Sequence, residues 1–208
     1  DVAEKALISA VERAGFHCKI KPGEAAFYAP KVEADFKDVL GRAWTLATIQ
    51  IDMAMPGRFG LRYVGRDGEL HQPAMLHRAV LGSLERFIGI YIEHTGGDFP
   101  FWLSPIQVVL LPIADRHAAG AHEIRAKLSA AGLRAEVDDR SETLGYRIRE
   151  AENQKIPLTL VIGDDELAQG TVAPRLRRSK KALEAVSAGT LVETLRVANA
   201  ERRPAPFA

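Results

Sequence analysis

The stretch "HRAVLGSLERFIGIYIEH", residues 77–94, decides how the rest of the chain is read. Leu81, Leu84, Ile88 and Ile92 recur at helical spacing, so the pattern predicts a buried amphipathic helix. A second stripe runs through Gly82, Arg86, Gly89 and Glu93. Each glycine inside a helix costs about 1 kcal/mol relative to alanine, so this stripe needs a reason. In one reading Arg86 pairs with a carboxylate such as Glu93, and the glycines let the helix approach a sheet. In the other, small residues clear a floor for a flat ligand while the guanidinium reaches an anion. Arginine suits phosphate because its planar fork bonds two oxygens and keeps its charge. Ser83, about one turn before Arg86, adds a hydroxyl to the same face.

Upstream, residues 2–15 read as a helix. "KVEADFKDV" then alternates strictly, with Lys31, Glu33, Asp35 and Lys37 on one face and Val32, Ala34 and Phe36 on the other, as a half-buried strand does. "WTLATIQIDMAM" continues as a β-rich run ended by Pro56-Gly57, and "RFGLRYV" reads as a further strand turned by Arg66-Asp67-Gly68. Strands followed by one long helix predict an antiparallel sheet backed by helices.

Downstream, "TGGDFPFWLSP" marks a boundary, dividing the chain into domains 1–104 and 105–208. "IQVVLLPI" is a continuous apolar run, as a strand covered on both faces would be. A helix over 117–132, "RAEVD", a helix over 143–153, "PLTLVIG", "GTVAPRLR" and a helix near 189–202 follow. This alternation predicts a small α/β domain with a mixed sheet. The tail "RRPAPFA" is expected to fray.

With 47% apolar and 26% charged residues, the 208-residue chain has the composition of a soluble globular protein. It lacks the uncharged apolar run of about 18 residues that a membrane span needs. The opening "DVAEKALISAVERAG" is charged and amphipathic, unlike a secretory signal. The single cysteine, Cys18, excludes an internal disulfide and fits a reducing compartment. His17-Cys18 has no second His/Cys pair at ligand spacing, so it is not read as a zinc site. Net charge is only +1, so a nucleic-acid surface has to come from local clustering. The densest cluster is "RLRRSKK", with Arg175, Arg177, Arg178, Lys180 and Lys181, which reads either as a solvated run or as a phosphate-holding patch. His77 taken alone reads as a core or capping histidine, since nothing near it in sequence supplies co-ligands.

Read together, these segments resemble a known family. "HRAVLGSLERFIGIYIEH" is similar to the third signature motif of class II aminoacyl-tRNA synthetases, in the form found in threonyl-tRNA synthetases. "GEAAFYAPK", "TIQID", "PGRFGLRYV", "PAMLHRA", "WLSPIQV", "DDRSETLGYRIREA", "IPLTLVIGDDE" and "GTVAPRLRR" extend the resemblance, in family order, over nearly the whole chain. The resemblance implies the antiparallel-sheet remnant of a class II catalytic domain, an α+β fold, followed by a small α/β anticodon-binding domain. It implies a cytoplasmic, homodimeric enzyme without membrane attachment that joins threonine to tRNA(Thr) with ATP and Mg2+, by way of threonyl-adenylate.

Within that family pattern Arg86 falls on the ATP phosphates as the catalytic cation, with Lys31, Ser83 and Gln50 in the nucleotide site. Tyr28 and Gln50 line the threonine pocket, and His77 is one of three protein ligands to Zn2+. The metal would select threonine over valine, a near-isostere that an apolar pocket separates only by roughly 10²-fold. Ser141, Arg149, Glu166 and Arg175 fall at the anticodon-reading positions. Arg and Glu suit that task because single-stranded loop bases expose hydrogen-bonding edges. The chain departs from the family where Ala29 and Ala47 replace glycines, Thr45 replaces a glutamine near ATP, and Ser141 replaces an asparagine.

The family's first two motifs, the other two zinc ligands, the dimer-forming strand and the editing domain are expected upstream of Asp1. The chain alone is therefore expected not to aminoacylate. The alternatives are a divergent synthetase-like paralogue that binds tRNA or a regulatory RNA without charging it, and an amino-acid-binding regulatory relative built on the half-site.

Overall fold

Alternation of charged and apolar residues produces strand β1 (Lys31–Lys37), which pairs antiparallel with β2 (Ala43–Asp52). The computed structural model describes residues 2–179 and 181–207, which divide into units spanning residues 1–94 and 95–208. In the first unit, helix α1 (Val2–Arg13) buries Ala3 and Leu7. The register of β1 on β2 slips after Ala34, which faces Ala47, while Asp35 faces Thr45. Leu46 is therefore the extra residue of a β-bulge. After β2 come a single turn of helix, α2 (Met55–Arg58), and a two-residue ribbon of β3 (Tyr63–Val64) with β4 (Leu70–His71). The strand expected over "RFGLRYV" is thus cut to its last two residues. Pro56 opens α2, which consumes Arg58, and Gly60 turns the chain at φ +65°.

The helix expected over 77–94 also starts later. Residues 75–79 form strand β5 (Met75–Ala79), which pairs with β2 to complete the antiparallel order β1-β2-β5. Helix α3 runs over Leu84–Thr95. None of its residues is buried, contrary to the apolar stripe's promise: Leu84, Ile88 and Ile92 are 60%, 50% and 45% exposed. Periodicity identifies a helix and its apolar side; it does not supply something for that side to pack against.

In the second unit β6 (Val108–Pro112) is buried at all five positions. It runs parallel to β7 (Ala135–Val137) and to β8 (Leu158–Ile162), while β10 (Pro174–Leu176) adds antiparallel to β8. The order β10-β8-β6-β7 is the expected mixed sheet. Helices α4 (Ala118–Ala130) and α7 (Ala188–Ala200) cover one face through Leu128, Leu191 and Leu195 against Val108, Leu110 and Leu158. Helix α5 (Leu144–Asn153) covers the other through Ala151, Ile148 and Leu144 against Val109 and Leu111. A short helix α6 (Asp164–Gln169) and a ribbon of β9 (Thr171–Val172) with β11 (Val186–Ser187) complete the unit. The tail does not fray: Pro204 accepts a hydrogen bond from the Phe101 N–H at 2.9 Å, and Phe207 packs on the core. Phe101, fully buried, ties the segment after residue 94 to the same core.

Candidate functional site

Cross-strand register brings Lys31, Gln50 and His77 into one row, with Lys31 facing Gln50 and Gln50 facing His77. Residues directly opposite in an antiparallel sheet share a face, with Cβ atoms about 4.5–5.5 Å apart. Tyr28 joins them: its hydroxyl donates to Gln50 Oε1 at 3.3 Å, and its ring centroid lies 5.6 Å from that of His77. The next row is Glu33, Thr48 and Ala79. Lys31 Nζ donates to Glu33 Oε1 at 2.9 Å. Thr48 Oγ1 is buried with no hydrogen-bond partner among the described residues, a state that costs free energy unless another group supplies the bond.

Asp52, two residues beyond Gln50 on the same face, was not singled out by the sequence. Its side chain is fully buried and holds His77 Nε2 at 3.0 Å through Oδ2. Oδ1 accepts the N–H groups of Ala54 and Met55, each at 2.9 Å. Burial works against the charge, but the Met55 N–H, the His77 bond and the Ala54 N–H outweigh it and hold the carboxyl below its ordinary range. An ionised carboxylate only accepts, so Nε2 is the nitrogen that donates to Asp52, and Nδ1 takes no part in that bond. Metal-ligating histidines usually donate their other ring N–H to such a carboxylate, and the His77 side chain is 38% exposed. The pair fits one ligand of a metal. Among the described residues no group of three or more His, Cys, Asp or Glu side chains comes together.

Arg86 is not part of that row. Its Cζ lies 5.6 Å from the centroid of the Trp44 ring, which Arg42 also approaches at 5.7 Å. Trp44 and Gln50 are separated by about 20 Å of strand at ~3.4 Å per residue. Neither reading of the glycine stripe holds whole. Gly82 has φ +64°, and a Cβ there would stand 3.0 Å from the Leu46 carbonyl oxygen, so it serves the close approach of chain to sheet. A Cβ on Gly89 would meet nothing within 4 Å, and packing gives no account of it. Ser83 Oγ accepts the Arg86 N–H at 3.2 Å, which makes it the cap of α3. Of the departures, Thr45 Oγ1 donates to Asp35 Oδ1 at 2.6 Å, Ala29 is buried and Ala47 faces Ala34.

The four positions in the second unit fall in three places. Ser141 lines a depression of about 390 Å³ beyond the end of β6, with Ile113, Asp115, Arg140, Thr143 and Arg147. Arg147 is buried and fixes the walls, donating to the Pro112 carbonyl at 2.8 Å and the Asp138 carbonyl at 2.6 Å. Glu166 Oε2 accepts the Gly163 N–H at 3.0 Å at the start of α6, so its carboxylate already has a structural duty. Arg149 lines a second depression of about 210 Å³, with Tyr146, Glu150, Glu152 and Asn153. Arg175 stands at its edge, 3.9 Å from Glu152. The basic cluster is not uniformly solvated: Arg177 is largely buried and ion-paired with Asp98, which also meets Arg178 at 3.3 Å. Lys180 lies outside the described residues.

Comparison with known proteins finds a match for each unit. Residues 4–95 fit the tRNA synthetase class II core domain (G, H, P, S and T), and residues 107–197 fit the anticodon binding domain. The threonine–tRNA ligase of Deinococcus deserti is 53% identical over 177 residues, 85% of this chain and 27% of that protein. Its counterpart in Deinococcus radiodurans is 50% identical over 202 residues, 97% of this chain and 31% of that protein. Among solved structures, the RNA binding domain of threonyl-tRNA synthetase from Cryptosporidium parvum superposes with a TM-score of 0.85 at 35% identity. That match covers 92% of this chain and 48% of the other. The chain thus spans under a third of the curated relatives' length. No helix among the described residues is long and apolar enough to cross a membrane. Both domains are matched in tandem, and about half of the matched residues are identical to those of the curated threonine–tRNA ligases.

Proposed function

We propose that this chain is the part of a threonine–tRNA ligase that carries the third signature motif and the anticodon-binding domain. The whole protein would activate threonine with Mg2+–ATP and transfer it to tRNA(Thr), as a cytoplasmic homodimer. The observation that carries this reading is the row of Lys31, Gln50 and His77 with Tyr28 beside it, on a chain about half identical to such ligases.

The reaction joins the threonine carboxylate to the α-phosphate of ATP and releases pyrophosphate, so cations are needed where charge accumulates. Arg86 is suited to hold the phosphates. Its contact with Trp44 is worth about 0.5–1 kcal/mol at an exposed site, less than the roughly 1.5–3 kcal/mol of hydrogen bonds to a charged group. An arriving phosphate therefore outcompetes the ring. Lys31, in a partly exposed pair with Glu33, exchanges partners at similarly low cost, since such pairs are worth about 0.2–1 kcal/mol. Tyr28 and Gln50 orient the amino acid, while Ser83 acts through the start of α3 rather than on the nucleotide. Asp52 turns His77 so that Nδ1 is the nitrogen offered to zinc. A zinc ion held in part by His77 would supply a Lewis-acid centre able to favour a hydroxyl-bearing amino acid over valine. In the second unit Ser141, Arg149, Glu166 and Arg175 would read anticodon bases.

The test is threonine-dependent ATP–pyrophosphate exchange by the complete protein that carries this chain. Exchange that is lost in Arg86→Ala, and that valine does not support in the parent protein, is expected. Exchange that survives Arg86→Ala undiminished would overturn the assignment. Thr45, whose hydroxyl is spent on Asp35, favours a second reading in which nucleotide contacts are weakened and the protein binds tRNA without charging it. Tight tRNA(Thr) binding with no exchange would establish that alternative.

A further inference from the structure

Tyr146 has no duty in the fold, although it is held firmly. Its N–H is accepted by Thr143, by the hydroxyl at 3.3 Å and by the carbonyl at 3.0 Å, which anchors it in the first turn of α5. The inward side of that helix is made by Leu144, Ile148 and Ala151, and Tyr146 belongs to neither hydrophobic cluster. The residue is 41% exposed. Thr143, three residues before it, and Arg147, directly after it, line the depression that contains Ser141. Tyr146 itself lines the depression that contains Arg149. The first turn of α5 is therefore the ridge between the two depressions, and Tyr146 stands on it.

We propose that Tyr146 is a stacking platform for an unpaired RNA base, set between the depressions that hold Ser141 and Arg149. The inference rests on the reading of the second unit as an RNA binder. An exposed residue fixed at its backbone loses little entropy on binding and presents a π-face to any base, while Arg149, one turn on, is placed to hydrogen-bond the neighbouring base. Such stacking is tolerant of sequence. Tyr146 would therefore add affinity and hold the loop open, with discrimination left to the hydrogen-bonding residues on either side.

The experiment titrates this chain against the anticodon stem-loop of a threonine tRNA carrying 2-aminopurine in the loop. Tyr146→Ala is expected to weaken binding by about five- to one-hundred-fold, the range that removing one base–aromatic stack produces, and to abolish part of the 2-aminopurine quenching. Tyr146→Phe should retain both, and Tyr146→Leu should lose the quenching although it keeps apolar surface. Circular dichroism of each variant checks that α5 is intact. Unchanged affinity and quenching in Tyr146→Ala, with the parent chain binding well, would overturn the platform alone. No binding by the parent chain would overturn the RNA-binding reading and the platform together.

Discussion

Asp52 and His77 form a directional pair: the buried carboxylate takes the Nε2 proton of His77 at 3.0 Å, while its other oxygen takes two backbone N–H groups. The aspartate thereby selects one tautomer of the ring. In Asp52→Asn the single amide oxygen stays with the two backbone donors, and the amide N–H2 turns toward His77. The ring must then accept at Nε2 and carry its proton on Nδ1. Long-range 15N–1H correlation spectra should show Nε2–H in the parent chain and Nδ1–H in the variant. The same tautomer in both would mean that Asp52 does not direct the ring.

Gly82 and Gly89 should respond oppositely to alanine. At Gly82, φ +64° and the Leu46 carbonyl 3.0 Å away both oppose a side chain, so Gly82→Ala should destabilise the first unit by about 1–3 kcal/mol. At Gly89 nothing stands within 4 Å, and Gly89→Ala should stabilise it by up to about 1 kcal/mol through helix propensity. Urea denaturation of the two variants measures both. A Gly89→Ala variant that gains stability while the complete protein loses ATP affinity would identify that glycine as part of a ligand floor.

Asp38 makes the first unit sensitive to acid. A hydrogen bond from the Trp44 indole N–H, opposed by burial and helped by Arg42 and by the backbone of Arg42 and Leu40, lowers its carboxyl from 3.8 to about 2. Because the folded value lies below the unfolded one, the stabilisation is complete above about pH 4 and disappears as pH falls toward 2. Melting temperature followed by the Trp44 indole resonance should fall over that window, and Asp38→Asn should flatten the dependence. An unchanged slope would assign the acid sensitivity to other carboxylates.

The two units should not melt together. Among the described residues the first buries only Ala3, Leu7, Ala29, Leu46 and Pro56 of its apolar side chains, whereas the second has two contiguous clusters around its sheet. Hydrogen exchange should show β6 and β8 most protected and β1, β2 and β5 opening at lower free energy. Coincident opening of both sheets would refute this ranking.

Much of the second unit could be read from sequence because its local signals agree with its topology. "IQVVLLPI" is apolar throughout because β6 is covered on both faces, and the alternation of strand and helix around it enforces the mixed sheet. The first unit was less legible. The row Lys31–Gln50–His77 depends on pairing between segments far apart in sequence, which no local period encodes. His77 reads as a core or capping histidine, although "MLHRA" alternates in burial as β5 does. Asp52 escaped notice because an aspartate ending an apolar strand looks like a turn residue, and only its burial distinguishes it. The tail was expected to fray from its prolines, but Phe207 finds the core.

The bulge at Leu46 divides β2 into two segments that are out of phase. Gln50, Thr48 and Thr45 lie on one face only because an extra residue intervenes; in a regular strand an odd and an even position would point apart. A saturation scan of β2 should therefore show the polar-tolerant positions switching from even to odd on passing Leu46. Deleting Leu46 should remove the bulge and restore regular pairing, with Thr45 still opposite Asp35 on the face of Thr48 and Gln50. One inserted residue thus acts as a frame marker for the site, and alignments that place a gap elsewhere in this strand will assign its side chains to the wrong face.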